Sequence, residues 1–219
     1  MANKESPTSE RIQLYARQRF LRLETPKAFD ADGKPRWENT SILDPSDAKG
    51  KQSIKTVLEA AAKLSKETYG TVPLAVKKLA AKFLDSKKVD LNDPANAEDN
   101  IKIAFADGDS DKYKDYVGYA GMFIVPAHNS KLKPDVANRK GLRVQPGEPQ
   151  YPYDGCTGLT SITLWAQVGE TQKKYGKRIG VNLRGVQFVA DGNPFSQDVI
   201  EDEFQPLAED ATATGNEFD

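Results

Sequence analysis

Residues 177–195 read KRIGVNLRGVQFVADGNPF, and the fold turns on how this stretch is parsed. Ile179, Val181 and Leu183 recur at every second position, the period of a half-buried strand. The apolar set then slips by one and resumes at Val186 and Phe188, with Gly185 at the slip. A strand that changes phase at a glycine predicts a β-bulge, which adds one residue and bends the strand. Glycine-marked bends of this kind favour a small barrel over a parallel sheet.

The rest of the chain reads consistently with that. From Glu10 to Leu23 the residues alternate, with Ile12, Leu14 and Ala16 on one face and Gln13, Tyr15, Arg17 and Arg19 on the other. PKAFDADGKPRW (26–37) holds a turn around Asp32-Gly33, and Trp37 to Leu43 reads as a second strand. Asp44-Pro45-Ser46 is a helix-start signal for SIKTVLEAAAKLSKETYG (53–70), whose apolar residues at 54, 57, 58, 61 and 64 share one helical face. Gly70 ends that helix, and Pro73 opens a second through LAVKKLAAKFL (74–84). Strand-like segments return at IKIAF (101–105), GYAGMFIVPA (118–127) and LTSITLWAQV (159–168). The expectation is a mainly β chain with an α insertion (α+β): five or six strands forming a small barrel, with helices at about 46–85. A flexible arm at 1–9 precedes the domain at 10–197, and an aperiodic acidic tail at 198–219, expected to be disordered, follows it.

Charge divides the chain at the same place. Eight of its 32 acidic residues, and none of its 31 basic ones, lie in 198–219. The remaining body has 24 acidic against 31 basic residues, a formal +7 hidden behind a total of −1. A basic body with an acidic tail points to a polyanionic partner. No apolar run approaches the ~20 residues of a membrane span, and the first ten residues lack the apolar stretch of a signal peptide. Cys156 is the only cysteine, so no internal disulfide can form and a reducing cytoplasm is expected.

Catalytic patterns fail one by one. DGDSDKYKDYVG (107–118) resembles the opening of a calcium loop, but Lys112 and Gly118 stand where the loop needs Gly and Glu. GKQS at Gly50 lacks the upstream glycine and the Ser or Thr of a phosphate loop. His128 is the only histidine, which excludes a histidine-rich metal site and argues against a Ser-His-Asp triad. Cys156 suits a buried thiol better than a nucleophile. The expectation is a non-enzymatic protein with no cofactor and no metal. A nuclease would have to use Asp107, Asp109 and Asp111, the only dense carboxylate cluster.

Basic residues interleaved with aromatics are the positive signal, because a single nucleic-acid strand offers phosphates to cations and bases to aromatic faces. Tyr15 shares its strand face with Arg11, Arg17 and Arg19. Trp165 lies on the polar side of its strand with Ser161, Thr163 and Gln167. The segment 131–143 contributes Lys131, Lys133, Arg139 and Lys140. The turn QKKYGKR (172–178) contributes Lys173, Lys174, Tyr175, Lys177 and Arg178. Trp37 and Tyr119 complete the candidate set. Each has a plainer reading as core aromatic or solvated charge. A scaffold module whose basic loops meet an acidic protein is the alternative function.

Several stretches taken together resemble the OB-fold single-stranded DNA-binding proteins of tailed bacteriophages: PKAFDADGKPRW, FADGD (105–109), GYAGMFIVPAHNSKLKPDV (118–136), YPYDGCTGL (151–159) and GVNLRGVQFVADGNPF (180–195). The resemblance covers most of residues 10–195 in order. It implies an OB-fold-like barrel that binds and protects single-stranded DNA in replication or recombination, in the cytoplasm of an infected bacterial host. It also implies that the tail, with Glu217, Phe218 and Asp219 at its tip, recruits replication or recombination proteins and competes weakly for the empty DNA groove. Weak duplex binding and self-association on DNA are further expectations. Phe218 is penultimate here, where relatives end nearer their aromatic.

Overall fold

The computed structural model describes residues 6–28, 33–86 and 100–195. In chain order its elements are β1 (Ile12–Lys27), β2 (Arg36–Leu43), α1 (Ala48–Tyr69), α2 (Leu74–Phe83), β3 (Lys102–Ile103), β4 (Ala106–Asp107), β5 (Phe123–Asn129), β6 (Asp135–Ala137), β7 (Thr157–Ala166), α3 (Gly169–Tyr175) and β8 (Arg178–Ala190). The five longer strands pair antiparallel in the order β8–β7–β1–β2–β5. A parallel contact between His128 and Asn182 joins β5 back to β8 and closes the ring. This is the expected OB-fold-like barrel, with its helical insertion after the second strand.

Two irregularities close the barrel. β1 pairs with β7 through Ile12–Arg17 and with β2 from Arg17 onward, so one strand serves both halves of the barrel. It turns the corner where the β2 register shifts between Arg19 and Arg22, with Phe20 at φ 53. On β8, Ser161 faces Gly185 while Ile162 faces Leu183, leaving Arg184 as the extra residue of the bulge read from the sequence. Glycine is needed at 185 because β6 runs alongside. A Cβ there would stand 2.8 Å from the Asp135 carbonyl oxygen. The phase change keeps Ile179, Val181, Leu183, Val186 and Phe188 all buried.

The helices plug the barrel. Ile54, Val57, Leu58, Ala61 and Leu64 of α1 join Leu14, Leu43, Ile162 and Leu183 in one core, each Val, Leu or Ile side chain contributing ~1.5–3 kcal/mol by burial. Asp47, rather than the 44–46 segment, caps α1 by accepting the Gly50 N–H at 2.8 Å; Asp44 instead closes a local turn with Ser46. Gly70, at φ 79, ends the helix as expected. α2 follows Pro73 and buries Val76, Leu79 and Phe83.

Inside the barrel lies a polar cluster that alternation did not announce. Gln18, Asn39, Ser41 and Thr160 are at most 1% exposed. Asn39 Nδ2 donates to Gln18 Oε1 at 2.7 Å and to Thr160 Oγ1 at 2.9 Å, and Ser41 Oγ donates to Thr160 Oγ1 at 2.8 Å.

Three local expectations are corrected. IKIAF is not one strand: the two-residue β3 pairs with β8 and the two-residue β4 with β5, because Phe105 between them turns into the core. The 172–178 segment is not a tight hairpin turn, since α3 fills most of the link between β7 and β8. The arm expected at 1–9 is pinned at its inner end, where Ser9 N–H donates to Leu164 O and Ala166 N–H to Pro7 O. The acidic tail, including Glu217, Phe218 and Asp219, and the Asp32 half of the β1–β2 turn lie outside the described residues.

Candidate nucleic-acid interface

Because β1 serves both halves, its outward side chains are shared between two faces of the barrel. Arg17, Arg19 and Arg22 face outward beside β2 and β5, in rows with Ile42 and Ile124, Thr40 and Pro126, and Glu38 and His128. The cations of this face are already engaged. Arg22 pairs with Glu38 at 2.9 Å and Arg36 approaches the same carboxylate at 3.6 Å. Burial pushes the Glu38 carboxyl up, and Arg22 and Arg36 hold it back. Arg17 donates to Gly155 O and to Asn193 O, and Arg19 donates to Val117 O at 2.8 Å.

Aromatic rings complete that enclosure. The Arg19 guanidinium lies 4.9 Å from the Phe20 ring, 5.2 Å from Tyr119, 5.6 Å from Tyr116 and 4.7 Å from Phe195. Arg17 stacks over Phe195 at 3.8 Å. Phe195 fits there because Gly118, at φ 80, has no Cβ, which would stand 2.8 Å from the ring. Phe20 and Tyr116 remain 36% and 43% exposed. Tyr119 does not: it is fully buried against Ile42, Tyr113 and Ile124, its hydroxyl pKa raised by that burial. The expectation that Tyr119 stacks on bases is corrected.

The second face lies over the first half of β1 together with β7 and β8. Its cross-strand rows are Tyr15–Leu159–Gln187, Gln13–Ser161–Gly185 and Trp165–Gly180. Ile12, Leu14, Ile162, Leu164 and Val181 point the other way, into the core. Trp165 is half-buried, and its indole lies across Gly180. A Cβ on Gly180 would come within 2.2–2.4 Å of the ring, so the glycine is what lets the indole lie down on the sheet. Tyr15 is half-buried beside the start of α1. Its backbone N–H donates to Ser53 Oγ, and Lys49 Nζ stands 4.8 Å from its ring.

The basic segments sit at two ends of this face. Lys173 and Lys174 are on α3, with Tyr175 at 60% exposure and Lys177 and Arg178 leading into β8 next to the Trp165–Gly180 row. Lys131, Lys133, Arg139 and Lys140 are exposed around β6, which runs parallel to residues 185–187 of β8. Six residues of β8 separate the two ends, about 20 Å. Lys173 and Lys133 are partly neutralised, by Glu170 and Glu24, both at 2.6 Å. Arg17 and Arg19 are not part of this face. Neither is Trp37, which shares the inward row of β2 with Asn39 and Ser41 and donates its indole N–H to Glu24 O at 3.2 Å. Sequence reasoning missed the group formed by Phe20, Tyr116 and Phe195, which no periodicity links.

Catalytic readings find no support among the described residues, where no three His, Cys, Asp or Glu side chains are grouped to hold a metal ion. Lys82 Nζ stands between Asp107 and Asp109, 2.8 Å from the latter, and fills the place a cation would take. Burial pushes the Cys156 thiol up to about 11, which suits an inert structural residue. No helix among the described residues is long and apolar enough to cross a membrane.

Comparison with known proteins bears on the same barrel. The family model described as "Enterobacter phage Enc34, ssDNA-binding protein" matches residues 11–215. A putative protein p50 of Acyrthosiphon pisum secondary endosymbiont phage 1 is 35% identical over 97 residues, 43% of this chain. That match spans about half the length of the relative, 46%. Among solved structures, the single-stranded DNA-binding protein from bacteriophage Enc34 in complex with ssDNA aligns with a TM-score of 0.61. It shows 24% identity over 84% of this chain and 89% of that one. A C-terminal truncation of the Enc34 protein aligns with a TM-score of 0.58 at 24% identity, over 84% and 88% of the two chains.

Proposed function

The chain belongs to the Enc34 ssDNA-binding protein family, and from that premise we propose that it binds single-stranded DNA with little regard to sequence. The observation that supports this most directly is Trp165 lying on Gly180, on a polar sheet face with Lys173–Arg178 at its end. Bases of any identity stack on an indole, and lysine contacts to phosphates hold a strand without reading it. The work of such a protein is to coat and protect strands exposed during phage replication or recombination in the host cytoplasm.

The acidic segment 198–219 has a part in this proposal. Phe195, the last described residue and three before the acidic segment in sequence, is held beneath Arg17 and Arg19. Twenty-two residues could extend ~70 Å at ~3.3 Å each, enough to reach the second face as well. The segment competes weakly with DNA and, once displaced, presents Phe218 and its carboxylates to replication or recombination proteins. Deleting 198–219 is expected to raise affinity for DNA, most at low salt, and to leave the thermal midpoint unchanged.

Fluorescence anisotropy with labelled oligo-dT at several salt concentrations tests the core of the proposal. If ~4–6 phosphates are neutralised, log K against log salt should slope near −3 to −4. Absent or salt-independent binding defeats it and favours the scaffold reading, in which the basic loops meet an acidic protein.

A further inference from the structure

Between the two basic ends of the second face is a concave site of about 310 Å³ that no sequence motif marks. Its floor is the row Gln13–Ser161–Gly185, and the segment leading into β6 forms its wall. Three features set it apart. Arg184 is the extra residue of the bulge; a bulge re-aims a side chain, and this one lines the site. Arg11, the residue just before β1, lines the same site, and among the described residues no carboxylate pairs with either arginine. Ser161, on the floor of the same site, has a buried Oγ without a hydrogen-bond partner among the described residues. Lys133 stands at the rim, tied to Glu24, and the one carboxylate of the lining, Asp135, is taken up by Arg143 at 2.7 Å.

Two guanidinium groups without a carboxylate partner and a hydroxyl without a hydrogen-bond partner, all lining one hollow, suit an anion with several acceptor oxygens. The geometry points to a phosphate seat: Arg11, Arg184 and Ser161 hold a backbone phosphate of the bound single strand, about 13 Å along β7 from Trp165. The strand therefore runs along the second face, from the α3 end past Trp165, across the bulge and on toward Lys131. This inference rests on the proposed single-strand binding and assigns it a track and three further contact residues.

The test compares R11Q, R184Q and S161A with the unaltered full chain, and with K63Q, an exposed lysine on α1 away from this face that loses the same charge. Anisotropy titrations use oligo-dT and a duplex of equal length across a salt series, with thermal melts run on every variant. R11Q and R184Q should each weaken oligo-dT binding about tenfold at 0.1 M salt and lower the salt slope by ~0.7. S161A should weaken binding while leaving the melting midpoint equal or higher, because it removes a buried, unpartnered hydroxyl. K63Q should change neither affinity nor slope. If the unaltered protein binds oligo-dT and all three variants match it, or if K63Q weakens binding as much, the phosphate seat is overturned while single-strand binding stands. If the unaltered protein does not bind oligo-dT, the functional proposal falls and the seat falls with it. Saturable binding of inorganic phosphate alone, with oligo-dT affinity unchanged in the variants, identifies a free-anion pocket and overturns the strand assignment. Equal losses on duplex and single strand would show a contact with any phosphodiester, and overturn the single-strand track.

Discussion

Two faces of one barrel share strand β1, both bear arginines and aromatics, and they differ in what those groups are doing. On the β1–β2–β5 face, Arg22 and Arg36 share the Glu38 carboxylate, and Arg17 and Arg19 are enclosed by carbonyls and rings. On the β1–β7–β8 face, Arg11 and Arg184 meet no carboxylate among the described residues and Trp165 lies half-buried over a glycine. Counting cations along the chain ranks the faces as equals. Asking which cations already have partners separates them, since an anion recruited to a satisfied guanidinium must displace a bond already made.

The strongest challenge to that ranking is Trp165→Ala. On the open face it should remove ~1–3 kcal/mol of single-strand affinity, read by anisotropy, with the fold retained by far-UV circular dichroism. Unfolding instead would mean that the indole is a structural cover for Gly180. Next in size is Glu38→Gln, which removes the carboxylate shared by Arg22 and Arg36. It should cost about 1 kcal/mol of stability in denaturant titration, yet shift oligo-dT affinity less than about twofold at 0.1 M salt. A tenfold gain would make the closed face the DNA track.

Smaller is a pH effect at His128, opposite Glu38 on β5. Burial, with Arg36 and Arg178 adding to it, lowers its pKa below the ordinary 6.5. The folded form then holds fewer protons than the unfolded one just below pH 6.5, so stability should decline as pH falls from there to the lowered native value. Being the only histidine, it can be followed by a single NMR titration, and His128→Gln should flatten that part of the stability profile. A midpoint at or above 6.5 would contradict the burial. The smallest expected effect is at Tyr119, whose buried hydroxyl has no hydrogen-bond partner among the described residues. Tyr119→Phe should leave binding unchanged and move the thermal midpoint by no more than a degree or two, upward if at all. Any loss of DNA affinity would return Tyr119 to the interface.

Much of this barrel was legible because its cues are local. Period-two apolar residues marked the long strands, helical spacing from Ile54 to Leu64 marked α1, and one phase change at Gly185 gave the bulge. The candidate site was legible only in part, because a side chain's company depends on which sheet its strand has joined. Tyr15 and Arg19 alternate together along β1, yet the corner near Phe20 sends them to different faces. Tyr113, Tyr116 and Tyr119 recur evenly at every third position, so their spacing does not tell the buried rings from the exposed one. Arg184 was hidden for a simpler reason. The apolar phase change marks a bulge at Gly185, but it does not mark Arg184 as the extra residue whose direction changes.

The buried quartet of Gln18, Asn39, Ser41 and Thr160 has a consequence for how the barrel chooses its alignment. Apolar side chains tolerate sliding, since one Val or Ile can stand in for another two residues along. Two amides and two hydroxyls cannot, because their partners exist only where β1, β2 and β7 come together in one register. A two-residue slip would keep every strand's inward and outward faces yet strand these groups in an apolar interior, at ~1–3 kcal/mol for each group left unpaired. The quartet therefore works as a key for strand alignment. It makes the near-miss barrels that hydrophobic patterning alone would permit too unstable to persist.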